Sequence, residues 1–203
     1  MSLDDNRRLN NLISNFGRCN ILVLGDFMYD KFTHGSVDRI SPEAPIPVIR
    51  VKHNHEMLGG AGNAALNIVS AGGKATLISV VGDDPVGQKA RELVMAQIGS
   101  HSVLVSEANR QTTIKQRFIA NNQQLLRADT ETTAAITAET EKKLLAAYET
   151  ALPNCQAVMI SDYAKGVLTD GVLKTVIEKA RAAGKPVLID PRSEEHTSEL
   201  QSL

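Results

Sequence analysis

The chain has only two cysteines, Cys19 and Cys155, far apart and with no C-x-x-C. That argues against a disulfide framework and against a metal knuckle. An excess of one charge is missing too: 22 Lys and Arg against 23 Asp and Glu leave a net charge of −1 at pH 7. No global field therefore favours nucleic acid or a membrane surface as a partner. No apolar run approaches the roughly 20 residues of a membrane span. The opening Met-Ser-Leu-Asp-Asp-Asn-Arg-Arg lacks the apolar core of a signal peptide. The expectation is a cytoplasmic, soluble protein. Two nucleotide signatures are absent as well. No Lys-Ser/Thr follows the glycines, so there is no P-loop, and no G-x-G-x-x-G follows a strand. No internal repeat appears at periods of 20–50 residues.

What the chain does have is Gly59-Gly60-Ala61-Gly62-Asn63. Three glycines in five residues let a backbone approach a ligand closely or adopt positive φ. Asn63 offers both a donor and an acceptor. A helix should follow and end at Gly72-Gly73, so the stretch suits hydroxyls, phosphates or other anions at a helix N-terminus. A tight turn with close helix packing explains the glycines equally well.

At 203 residues with 42% hydrophobic content, the chain suits one domain, or one with a small appendage. Residues 5–16 read as an amphipathic helix bearing Leu9, Leu12, Ile13 and Phe16. Ile21-Leu22-Val23-Leu24 is a strand buried on both faces. Asp26 and Asp30 come just after it, where open α/β sheets keep their ligands, or else they serve as a loop cap and a solvated turn residue. Residues 31–38 and 46–51 read as short strands of a small separate sheet, with prolines 42, 45 and 47 between or within them. Then strands alternate with helices: 77–81, a helix capped by Asp84-Pro85, 103–105, a helix over 138–151, 157–160, a helix capped by Thr169, and 187–190. Residues 112–119 and 123–127 flank Asn121-Asn122, a hairpin turn. With a strict two-residue turn, Arg117 and Arg127 fall on opposite faces, and a bulge is needed to bring them together. The rhythm predicts an α/β fold with a mainly parallel central sheet and helices on both faces. His34, His53, His55 and His101 show no ligand spacing on any one element.

Gly59, Gly60, Ala61, Asn63, Ala65, Gly72 and Gly82 stand at the spacings of a known signature. On them the chain resembles the ribokinase-like (PfkB) carbohydrate kinases. Ile40 to Val48, Gln123 to Arg127 and Asp162-Tyr163-Ala164-Lys165-Gly166-Val167-Leu168 look like one branch of that family. It is the kinase half of bifunctional heptose enzymes of lipopolysaccharide-core synthesis. The likeness covers residues 1–191, which the resemblance makes the N-terminal part of a kinase domain with a β lid at about 31–52 and 112–128.

The resemblance implies phosphoryl transfer from ATP, with Mg²⁺, to C1 of D-glycero-D-manno-heptose 7-phosphate. Asp30 then holds sugar hydroxyls, and Gly59, Gly60 and Asn63 form the sugar floor. Lys115, Arg117 and Arg127 are the lid cations for the substrate's phosphate, and Lys165 faces the transferring phosphates. Solvated-strand roles for the arginines and a surface role for Lys165 are the alternatives. The resemblance also implies a homodimer through the lid.

The chain departs from the pattern in two ways. The family's catalytic aspartate lies in a later Gly-Ala-Gly-Asp motif, which these 203 residues do not contain, and most of its nucleotide site is also C-terminal. After Pro191 the string from Arg192 to Leu203 has no apolar period and resembles a translated sequencing adapter. It is expected to be a foreign tail.

Overall fold

The structure, a computed structural model, describes residues 3–191, so the tail expected to be foreign lies outside the described residues. Five parallel strands form the central sheet in the order β5-β4-β1-β8-β9: β1 (Asn20–Gly25), β4 (Lys74–Gly82), β5 (Val103–Glu107), β8 (Ala157–Asp162) and β9 (Val187–Pro191). The continuous apolar run in β1 follows from its central place. Leu22 and Leu24 point into the core under α4 (Ala138–Ala151) and α5 (Asp170–Ala182), whereas Val23 points into the core under α2 (Ala61–Ser70) and α3 (Pro85–Gln97). A strand buried on both faces has no polar side to show.

The helix starts are local chemistry. Asp84 accepts from the Gly87 N–H at 2.7 Å with Pro85 at the first helical position, and Thr169 accepts from the Val172 N–H at 3.1 Å. Both remove an orphan donor from a helix end. Buried Val172, Leu173, Val176, Ile177 and Ala180 seat α5, and the Tyr148 hydroxyl donates to the Val176 carbonyl at 2.9 Å.

A second sheet of four strands stands apart, in the order β3-β2-β6-β7: β2 (Phe27–Ile40), β3 (Pro47–Gly60), β6 (Ile114–Ala120) and β7 (Gln123–Thr130). β2 runs antiparallel to β3 and parallel to β6, and β6 and β7 form a hairpin. Here the structure corrects the expected short strands. The first ribbon runs 14 residues on each side, so His53 to Glu56 lie in a strand, and Gly59 and Gly60 are its last two residues. Helix α2 accordingly starts at Ala61. A ribbon outside the core is solvated along much of its length, and its polar residues resemble loop residues.

The opening helix, α1, covers Leu3–Ser14, with a short 3₁₀ turn at Phe16–Arg18. Its apolar stripe is not buried: Leu9, Leu12, Ile13 and Phe16 are exposed.

Candidate functional site

The central sheet changes direction of growth at β1. β4 and β5 extend it to one side, and β8 and β9 to the other. Such a switch point opens a crevice at the carboxyl ends of the two diverging strands, here β1 and β8. Asp26, the single residue between β1 and β2, lies at that crevice and is 1% exposed. Its carboxylate accepts from the backbone N–H groups of Tyr163 (2.8 Å), Lys165 (3.2 Å) and Val167 (3.2 Å). Burial pushes the Asp26 carboxyl up, with the Asp162 charge adding to it, while those three N–H groups pull it down; the net direction is up. Asp26 is thus a loop cap, the plainer of its two sequence readings. It shapes the turn after β8, where Ala164 (φ 54°) and Gly166 (φ 81°) take left-handed conformations.

A second clamp was not legible in the sequence. Buried Arg110 pairs with Glu107 at 3.0 Å and donates to the carbonyls of Thr132, Ala134 and Lys165. Glu107 accepts from the Thr137 N–H at 2.7 Å, and the Ile136 N–H donates to the Gly166 carbonyl at 3.0 Å. The strip that follows β7 is therefore stitched to the turn that follows β8. The exit of the second sheet and the central crevice share one anchor.

At the root of the second sheet, Asp30 stands opposite Met57 on β3 and Lys115 on β6. A side chain at Gly59 would collide with Asp30 Oδ2, so the carboxylate lies over a bare Cα. Gly60 has φ 55°, and a side chain there would meet the Asp26 carbonyl, which instead accepts from the Ala61 N–H at 2.9 Å. Both properties of the glycine cluster are in use: close approach at Gly59 and positive φ at Gly60.

The two arginines are the clearest correction to the strict-turn geometry. Asn121 (φ 50°) and Asn122 (φ 62°) make the two-residue turn, and a register shift after Phe118 leaves Leu125 as the extra residue of a bulge. Arg117 therefore pairs directly with Arg127, and both lie on the face that carries Asp30. Like charges directly opposite one another are destabilising unless something lies between them. Arg117 forms an ion pair with Asp30 and sits 5.1 Å from the centre of the Phe32 ring.

The remaining cations continue the row. Lys115 reaches Asp129 at 3.0 Å and Glu131 at 3.9 Å, Arg127 reaches Asp129 at 2.9 Å, and Lys165 reaches Glu131 at 2.9 Å. Despite its partial burial, Lys115 and Arg127 hold the Asp129 carboxyl low. Asp129 and Glu131 escaped the sequence reading, although the two-residue spacing of Asp129 from Arg127 puts it on the same strand face. Gly60 and Asn63 border a different space, a cavity of about 400 Å³ that also touches Ser161, Tyr163 and Asp190. Ser161 Oγ is buried there without a hydrogen-bond partner. Asp30 does not line this cavity, so the sequence-predicted residues divide between one face of the second sheet and the α2 side.

ATP and Mg²⁺ find no complete site among the described residues. The N–H groups of Tyr163, Ala164, Lys165 and Val167 are engaged by Asp26 and Asp162, and Lys165 is paired with Glu131. No three metal-ligating side chains gather among the described residues.

A profile of the pfkB family of carbohydrate kinases matches residues 20–203. The chain belongs to that family. Among curated proteins, this pfkB chain is 49% identical over 173 residues to the bifunctional protein HldE of Caulobacter vibrioides, which covers 85% of the chain and 35% of that protein. It is 38% identical over 195 residues to the HldE of Rhodospirillum rubrum, covering 96% of the chain and 39% of that protein. The pfkB chain therefore spans somewhat more than a third of the length of these relatives. Among solved structures it is similar to 2-dehydro-3-deoxygluconokinase from Thermotoga maritima (TM-score 0.63, 14% identity, 91% of this chain and 55% of that one). It is also similar to a carbohydrate kinase from Agrobacterium tumefaciens (TM-score 0.60, 19% identity, 84% and 53%). The fold is ribokinase-like.

Proposed function

We propose that this chain carries the sugar side of an ATP- and Mg²⁺-dependent kinase for D-glycero-D-manno-heptose 7-phosphate, phosphorylated at C1 on the way to ADP-heptose and the lipopolysaccharide core. The observation that carries the reading is the Arg117–Arg127 pair beside Asp30 on one lid face. Two guanidiniums side by side suit a phosphate dianion, which accepts bidentate bonds from both. Asp30, above bare Gly59, suits sugar hydroxyls. Lys115 extends the cationic row, and Lys165 lies at its far end, toward the crevice where a phosphoryl donor belongs. Gly60 and Asn63 shape the neighbouring wall. Identities of 38–49% with proteins named HldE support heptose over another sugar. We place the protein in the cytoplasm, where ATP is available; no helix among the described residues is long and apolar enough to cross a membrane. We also propose a homodimer through the lid, whose Ile40, Ile46, Val51, Leu125 and Leu126 are exposed.

A second reading, that the 203 residues alone bind sugar phosphate without turning it over, is favoured by the lack of a Gly-Ala-Gly-Asp motif. A general base and donors on the transferring phosphate each contribute about 10²-fold or more, and Lys165 alone supplies neither base nor oxyanion hole. The test measures ADP release with heptose 7-phosphate, with other sugar phosphates and with Mg-ATP. It compares the 203-residue chain with one continued through a glycine-aspartate motif. The expected result is turnover by the longer chain only, with heptose 7-phosphate preferred. Equal turnover by both chains would show the motif to be dispensable, and preference for another sugar would refute the heptose assignment.

A further inference from the structure

We propose that the Arg117–Asp30 ion pair is a specificity device. In the free protein Arg117 masks the carboxylate that takes the sugar hydroxyls, and only a phosphate draws the guanidinium away. The inference rests on the sugar-phosphate reading above and adds a mechanism by which the unphosphorylated sugar is refused.

The geometry supplies each part. Asp30 has two oxygens: Oδ1 is taken by Arg117, and Oδ2 lies against the bare Cα of Gly59. The side chains of Arg117 and Asp30 are 22% and 20% exposed, so solvent screens the pair only in part. A neutral sugar has only hydroxyls to offer Asp30, and these compete poorly with a charge-assisted bond from a guanidinium. To Arg117 it offers only neutral hydroxyl acceptors in return, weaker than a carboxylate. A phosphate offers charged ones. Arg117 stands directly opposite Arg127, a like-charge pair that an anion between them relieves. Among the described residues Arg127 is held through Nε to Asp129 alone, and Arg117 lies over the Phe32 ring, a surface along which a planar guanidinium can slide without losing contact. Phosphate binding and release of Asp30 are then one event. The lid reads the two ends of the substrate jointly, and a sugar without its phosphate meets a masked carboxylate. The free-energy coupling between the ends is reciprocal, as linkage demands.

The experiment uses the full chain and calorimetric titration with three probes: heptose 7-phosphate, the same heptose without its phosphate, and inorganic phosphate. Arg117→Met removes the charge while keeping an apolar chain over Phe32. The wild type is expected to bind the phosphorylated sugar at least 10-fold more tightly than the bare one. In Arg117→Met the phosphorylated sugar should weaken at least 10-fold while the bare sugar tightens several-fold. Damage to the fold weakens both, so the opposite signs are diagnostic. A second arm needs no variant: saturating inorganic phosphate should tighten binding of the bare sugar to the wild type, by supplying in trans the anion that unmasks Asp30. Bare-sugar affinity that stays level or falls, in the variant and with added phosphate alike, overturns the masking while leaving the substrate reading in place. A wild type that binds no sugar phosphate overturns both together.

Discussion

Gly59 and Gly60 are neighbours in one strand, yet they serve different ends. At Gly59 an added methyl would meet the tip of the Asp30 side chain; at Gly60 it would meet the Asp26 backbone at φ 55°. A carboxylate can swing aside, whereas the Asp26 backbone carbonyl, fixed between β1 and β2 and bonded to the Ala61 N–H, cannot. Gly59→Ala is therefore expected to change stability by less than about 1 kcal/mol but to weaken sugar binding at least 10-fold. Gly60→Ala should lower stability by about 2 kcal/mol or more, since strain at a positive φ adds to the clash. Denaturant titration alongside ligand titration separates the two; equal stability losses would refute the division. The cluster's importance was legible in the sequence because glycine spacing is a local signal. Which glycine lies under the Asp30 carboxylate was not, because the answer depends on Asp30 and Asp26, both nearly 30 or more residues earlier in the chain.

Among the elements, the caps were the most legible part of the fold. Asp84-Pro85 and Thr169 announce helix starts with residues two or three positions away, so no tertiary knowledge was needed. The bulge was not legible. Gln123-Gln124-Leu125-Leu126-Arg127 offers no alternation that singles out Leu125 as the extra residue, and register is decided by pairing across the hairpin. Arg110 was missed for a related reason: its partners at 132, 134 and 165 lie 22 to 55 residues away.

The same clamps set a pH dependence. Burial alone would raise the Asp84 carboxyl, but the Thr112 and Gly87 N–H groups and the Thr112 hydroxyl outweigh it and hold it low. Glu107 is likewise raised by burial and, on balance, lowered by the Thr137 N–H, by the Thr140 and Thr137 hydroxyls and by Arg110. A depressed native pKa means that the unfolded chain binds more protons, so this stability is present above the unfolded values of about 3.9 and 4.3. It is lost as pH falls below them through the depressed native values. Asp26 works in the opposite sense: with its carboxyl raised, stability drops as pH climbs from about 3.9 through the native value. Urea midpoints are expected to fall with pH below about 4, and less steeply in Asp84→Asn and Glu107→Gln. An acid limb unchanged by both substitutions would assign it to other carboxylates.

Across the whole molecule, the central sheet ends in β9. Among the described residues that strand pairs with β8 on one side and with no strand on the other, and Leu188 is 56% exposed. An open edge carrying an apolar side chain is a template for pairing with another copy. The 203-residue chain on its own is expected to associate as its concentration rises, and Leu188→Lys should reduce this. Light scattering across a dilution series decides the matter: a chain monomeric at every concentration would show that the edge is protected.

The join between the two sheets has a mechanical consequence. β1 passes into β2 through Asp26 alone, and Phe27, Met28 and Tyr29 are 2–4% exposed, so the ribbon is welded to the core at its base. A flap needs a slack hinge, and there is none at this end. The ribbon's 14 residues reach up to about 43 Å at roughly 3.3 Å per residue. It behaves as a cantilever. A twist of about 5° at the root, within the ordinary range of sheet twist, carries the tip through some 3–4 Å while Asp30, near the fulcrum, hardly moves. Any movement of the outer ribbon is then a sweep past a stationary Asp30 carboxylate, and the residues at the root keep their places while the tip travels.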